Sequence, residues 1–171
     1  DGVDLGELQG MTDRFGGIDR TKAEAAGYEV LPGEAWIEQD VDALFPCALE
    51  NQITNDNVGK ISAQVKVVVE GANGPTTPGA DKVLHDRGVL LIPDFLSNAG
   101  GVTCSYFEQV QSNMNYFWEM DEVLGKLDVK MTAAYVAVSD LARSKKLYMR
   151  DAAYVVSIDR VVNACRDRGW I

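Results

Sequence analysis

Three short, continuously apolar runs separated by helix-length stretches constrain this 171-residue chain more than any other feature. The runs are Val41-Asp42-Ala43-Leu44-Phe45-Pro46-Cys47-Ala48, the β-branched Val65-Lys66-Val67-Val68-Val69-Glu70, and Val89-Leu90-Leu91-Ile92-Pro93. Between the first two, Thr54-Asn55-Asp56-Asn57 is a capping start for a brief helix ending near Ile61. Thr77-Pro78 opens a second helix, with Pro in its first turn, that runs to Arg87 and stops at Gly88. Apolar strands alternating with helices predict β-α-β units and an α/β fold, with a parallel sheet covered on both faces.

The flanking segments differ in character. Roughly the first 35 residues are rich in Gly and charge and predict loops and short helices rather than a packed unit. After Asn98 the pattern turns helical, from Gly100 to about Trp118, from Glu119 to Leu147, and from Arg150 to Arg168. Val123, Leu124, Leu127, Met131, Ala134, Tyr135, Val138 and Leu141 form an apolar stripe on the second of these, and Ala153, Val156, Ile158, Val161, Val162 and Cys165 on the third. Such stripes are packing surfaces, whose partner lies in this chain or in a neighbouring domain. Tyr116, Phe117 and Trp118 read as packing residues as well. The predicted division is 1–118 as a ligand-binding α/β portion and 119–171 as a helical segment.

Composition narrows the chemistry mainly by exclusion. A net charge of −10 argues against binding the nucleic-acid backbone, and no apolar run approaches a membrane span. Cys47, Cys104 and Cys165 are odd in number and widely spaced, which fits a reducing cytoplasm better than a disulfide framework. No metal-ligand spacing is present. His85, the only imidazole, sits at a polar helix end and reads as a solvated residue, and no G-x-S-x-G turn exists to pair with it as a hydrolase. Asp1-Gly2-Val3-Asp4 carries neither an initiator Met nor a signal peptide, so the chain is expected to be a piece of something longer.

Three loops are more polar than packing requires, and each follows a predicted strand, where open α/β sheets bind ligands. They are Ala48-Leu49-Glu50-Asn51-Gln52-Ile53-Thr54, Glu70-Gly71-Ala72-Asn73-Gly74-Pro75-Thr76-Thr77-Pro78, and Pro93-Asp94 followed by Asn98-Ala99-Gly100-Gly101-Val102-Thr103-Cys104-Ser105. Gly71 and Gly74 allow close backbone approach, and Asn73 can both donate and accept. Asn98, Val102 and Ser105 share one face of a helix start, an arrangement suited to a small polar organic ligand. On the residues alone Asn98 also reads as a plain N-cap, and Asn73 as a plain turn residue.

In order and spacing these motifs resemble the glutamate dehydrogenase family, as does Arg150-Asp151-Ala152-Ala153-Tyr154 in the last helix. The resemblance runs from Val41 to Trp170 and is weak before that. It implies the C-terminal part of a Rossmann-like, doubly wound cofactor domain followed by C-terminal helices. The activity it implies is reversible oxidative deamination of L-glutamate to 2-oxoglutarate and ammonia, with NAD or NADP as hydride acceptor. Cys47 and Ala48 would then lie near the adenosine part of the cofactor. Gly71, Ala72 and Asn73 would lie along the nicotinamide ribose, and Asn98 near the nicotinamide amide. Ser105 would bind the side-chain carboxylate of glutamate, with Val102 beside the substrate. Cys47 stands where the family commonly has Ala; the resemblance implies that mainly backbone is used there, so little is put in doubt.

The resemblance also identifies what this sequence lacks. There is no G-x-G-x-x-G, and the family's catalytic Lys and Asp belong to a substrate domain absent from this chain. Lys60, Lys66 and Lys82 are not placed to substitute. The chain alone is therefore expected neither to bind dinucleotide tightly nor to turn over glutamate, whereas the intact protein is expected to be a cytoplasmic homo-hexamer. A non-catalytic interaction module derived from the family is the alternative; Asn73, Asn98 and Ser105 occurring together favour the enzyme.

Overall fold

The computed structural model describes residues 2–171, which divide into two units at Glu38 and Gln39. In the first unit, helices α1 (Leu5–Gly10) and α2 (Arg20–Ala25) precede a 3-10 helix, Gly33–Glu38. Asp4 and Asp19 cap the two α-helices by accepting from the Glu7 and Lys22 amides. Tyr28 donates its hydroxyl to Glu7 at 2.6 Å, and that hydrogen bond holds the phenol's pKa above its ordinary value. Short helices were expected here, but the segment also forms a compact unit of its own.

The second unit contains the α/β fold. Strands β1 (Ala43–Leu44), β2 (Val67–Val69) and β3 (Leu90–Ile92) form a parallel sheet in that order. Val67, Val68 and Val69 lie opposite Leu90, Leu91 and Ile92, and the central Val68 is fully buried. The crossover from β2 to β3 is α3 (Pro78–Asp86). Strand β1 is much shorter than the predicted Val41–Ala48. Pro46 has no N–H to continue a ladder, and its carbonyl instead accepts from the amides of both Gly71 and Ala72. The brief helix expected after Thr54 is a single 3-10 turn, Val58–Lys60, because the Asn57 side chain accepts from the Thr54 amide and donates to the Gln52 carbonyl.

The C-terminal half is helical: α4 (Asp94–Ser97), α5 (Ala99–Met114), α6 (Met120–Lys145) and α7 (Met149–Asp167). Helix α5 stops four residues before the predicted Trp118 because Asn115 adopts the left-handed conformation (φ 52°). Leu96, Val138, Ala142, Ala152 and Ala153 form a buried cluster joining α4, α6 and α7, with Ile92, Phe95 and Met149 packed against it. Only part of each predicted stripe is covered: Leu124, Ile158 and Val161 lie exposed. Trp118 packs edge-on against Phe107 as expected, whereas Tyr116 and Phe117 project outward. His85 is exposed in the last turn of α3, with its ring 4.1 Å from that of Tyr148. Among the described residues no helix is long and apolar enough to cross a membrane.

Candidate functional site

The three loops at the carboxyl ends of β1, β2 and β3 are joined by hydrogen bonds, backbone to backbone between the first two and backbone to carboxylate for the third. The Asn51 amide donates to the Gly74 carbonyl at 2.9 Å, Ile53 to Pro75 at 2.8 Å, and Thr77 back to Ile53 at 2.9 Å. These bonds hold the β1 loop alongside the β2 loop. The third loop joins through Gly74, whose amide donates to Asp94 Oδ2 at 2.8 Å. Gly74 has φ 58°, a conformation that a residue with a Cβ adopts only with strain. One residue thus connects all three loops.

An open cleft of about 700 Å³ lies among them. Ala48, Leu49 and Glu50 line it from the β1 loop, and Gly71, Ala72 and Asn73 from the β2 loop. Asn98 and Val102 complete it at the start of α5. Six of the eight residues selected from the sequence therefore meet here. Cys47 lies against Gly71, where an added Cβ would come within 2.6 Å of the Cys47 sulfur. Ser105 is outside the cleft lining; its exposed hydroxyl donates to the Val102 carbonyl at 2.9 Å.

Asn98 occupies the N-cap position of α5, but its side chain makes no capping bond. Its Nδ2 instead donates to Asn73 Oδ1 at 2.8 Å and to the Gly71 carbonyl at 3.2 Å. With both Nδ2 protons committed, Asn98 Oδ1 remains an acceptor and Asn73 Nδ2 a donor at the cleft. That pair complements any group that presents a donor and an acceptor together, such as a carboxamide or vicinal hydroxyls.

Behind the cleft lies a charged cluster that sequence reasoning missed. Arg150, near the start of α7, reaches three carboxylates from three different elements. Its Nε donates to Asp81 at 2.6 Å, Nη1 to Asp94 at 3.1 Å, and Nη2 to both Glu70 oxygens at 2.8 Å. The Glu70 side chain is 0% exposed, and that of Arg150 16%. Burial pulls the Arg150 pKa down, but the hydrogen bonds to Asp81 and Glu70 outweigh it and leave the guanidinium above its ordinary value. The sequence did offer a signal: Glu70 ends a buried strand and Arg150 precedes Ala152-Ala153 on a packing face. Their meeting, 80 residues apart, had none.

Comparison with known proteins places this chain in a family. The family model for Glutamate/Leucine/Phenylalanine/Valine dehydrogenase matches residues 1–169, and so includes the N-terminal segment where the motifs are weak. An NAD-specific glutamate dehydrogenase from Staphylococcus aureus (strain COL) is 45% identical over 169 residues, 99% of this chain. The chain spans only 39% of that relative's length. Among solved structures, the glutamate dehydrogenase of Peptoniphilus asaccharolyticus superposes with TM-score 0.68 at 42% identity, over 74% of this chain and 32% of that one. The hetero-hexameric glutamate dehydrogenase of Thermus thermophilus superposes with TM-score 0.82 at 28% identity, over 98% and 38%. With a family match along nearly its whole length, the chain belongs to the Glutamate/Leucine/Phenylalanine/Valine dehydrogenase family.

Proposed function

We propose that this chain forms the nicotinamide side of the cofactor site in a glutamate dehydrogenase that deaminates L-glutamate reversibly to 2-oxoglutarate and ammonia. In this reading, residues 1–118 belong to the dinucleotide-binding domain and 119–171 form a C-terminal helical segment. The observation that carries it is the Asn98–Asn73 amide pair, held at the strand ends with one donor and one acceptor left free. The donor set fits a nicotinamide nucleoside: Asn98 serves the carboxamide, and Asn73 with Gly71 and Ala72 serves the ribose. Cys47 and Ala48 lie toward the adenosine side. The bound nicotinamide supplies the hydride acceptor. The NAD-specific relative favours NAD over NADP.

Ser105 and Val102 are assigned to the substrate. Among the described residues the Ser105 hydroxyl bonds its own helix, at the Val102 carbonyl, so its proton can turn to a carboxylate without losing a tertiary contact. An apolar substrate would leave that hydroxyl with nothing to gain, which favours glutamate over leucine. No lysine here is assigned a catalytic role, so the whole enzyme draws its proton-transfer groups from a substrate domain. Assembly as a hexamer in the cytoplasm follows the same reading; the Thermus relative is a hetero-hexamer.

Titration of the isotope-labelled chain with nicotinamide mononucleotide tests the site. Shifts centred on the Asn73 and Asn98 side-chain amides, lost in Asn98→Asp, are expected. Shifts elsewhere, or none, would overturn the assignment. With glutamate and NAD the chain alone is expected to form no NADH, and measurable NADH would show that catalysis is complete within it.

A further inference from the structure

We infer that Arg150 is a positioning residue for the cofactor cleft: from the C-terminal helix it sets the relative placement of the loops carrying Asn73 and Asn98. The inference rests on the cofactor reading of that cleft for its functional meaning.

A guanidinium that merely docked α7 onto the rest of the fold would need one carboxylate. Arg150 instead gives a different nitrogen to each of three: Nε to Asp81 on α3, Nη1 to Asp94 at the start of α4, and Nη2 to Glu70 at the end of β2. The planar fork spreads these donors over three nitrogens; a lysine ammonium carries its three N–H bonds on a single atom and does not reproduce that geometry. Two of the three partners act on the cleft through their remaining bonds. Asp94 divides its oxygens, Oδ1 to Arg150 and Oδ2 to the amide of Gly74, the residue that joins all three loops. Glu70 Oε2 accepts from the Asp94 amide at 2.8 Å, and the Glu70 carbonyl accepts from the Ser97 hydroxyl. Glu70 therefore holds both ends of α4, the four-residue turn that delivers Asn98.

The chain of contacts is continuous. Arg150 orients Asp94 and Glu70; Asp94 fixes Gly74, next to Asn73; Glu70 fixes Asp94 and Ser97, next to Asn98. Asn98 then closes the loop on Asn73 and the Gly71 carbonyl. Without the guanidinium, Glu70 and Asp94 are two close, poorly hydrated negative charges. They move apart, and the loops they hold move with them.

Hydrogen exchange in the full chain tests this. The probes are the Gly74 backbone amide and the Asn98 side-chain amide, compared in wild type, R150K, R150M and D94A. Thermal unfolding checks that each variant is folded. In R150M both probes are expected to exchange about tenfold faster although every group that contacts them is intact. R150K, which restores charge but not the fork, is expected to rescue stability more than protection of the probes. Where R150M does not fold, D94A decides: Gly74 and Asn98 are expected to lose protection while the Ala152 and Ala153 amides of α7 keep theirs. Folded R150M with both probes at wild-type rates would overturn the inference, and so would D94A with Asn98 unchanged. Nicotinamide mononucleotide titration of wild type judges the cofactor reading separately: absent shifts there remove the ligand, while the exchange data still decide whether Arg150 positions the loops.

Discussion

Gly71 shows how one position limits what the cleft can tolerate. A methyl group there would press within 2.6 Å of the Cys47 sulfur and 3.4 Å of its Cβ, so the sulfur is the obstacle. Gly71→Ala is expected to destabilise the chain by about 1–3 kcal/mol, the usual range for overpacking. In a Cys47→Ala background the same change should cost much less, because the contacts left, with the residue-47 Cβ at 3.4 Å and Cα at 3.5 Å, are far looser than the one with sulfur. A double-mutant cycle by urea unfolding measures this coupling, and equal costs in both backgrounds would refute the contact. The candidate positions Gly71, Asn73 and Asn98 were legible in the sequence, since their residue types are unusual for packing. The bond between Asn98 and Asn73 was not, because a side chain that could cap its own helix gives no sign that it points elsewhere.

At the scale of elements, ends were harder to read than interiors. The β-branched run of β2 and the apolar spacing of α6 and α7 declare themselves over many residues, whereas α5 ends on a single left-handed Asn115. Asn115→Ala is expected to lower stability by about 1 kcal/mol and Asn115→Gly to match or exceed wild type, as thermal unfolding can show. Arg150 ties four elements together, so Arg150→Met should cost about 3–5 kcal/mol by leaving buried carboxylates unpaired. Folding raises the Arg150 pKa, so its contribution is complete below the unfolded value and is lost only at more alkaline pH. The stability gap between wild type and R150M is therefore expected to stay constant from about pH 8 to about pH 11. Urea titrations across that range check it, and a gap that narrows with rising pH would mean that Arg150 loses its proton there.

For the whole molecule, the cleft, the charged cluster and the helical core all lie within residues 39–171. A polypeptide of those residues is expected to unfold cooperatively and to keep the Asn98 side-chain amide signal of the full chain. Loss of that signal on deleting 1–38 would show that the site depends on the first unit. The uncovered apolar residues of α6 and α7 belong to this scale too, since periodicity marks a surface as buried without saying what buries it.

The sequence by itself determined the fold class, the order of the strands and helices, the loops that carry the cleft and the family. The first three follow from local residue choice: β-branched runs, helical spacing, and turn residues at strand ends; the family followed from the resemblance of whole motifs in register. Tertiary structure alone decided that the Pro46 carbonyl takes the Gly71 and Ala72 amides, which way Asn98 turns, and that Arg150 meets Glu70, Asp81 and Asp94. Each of those outcomes depends on groups far apart in the chain competing for the same hydrogen bonds. Local propensity carries no record of such competition, and only the folded arrangement of β2, α3, α4 and α7 resolves it.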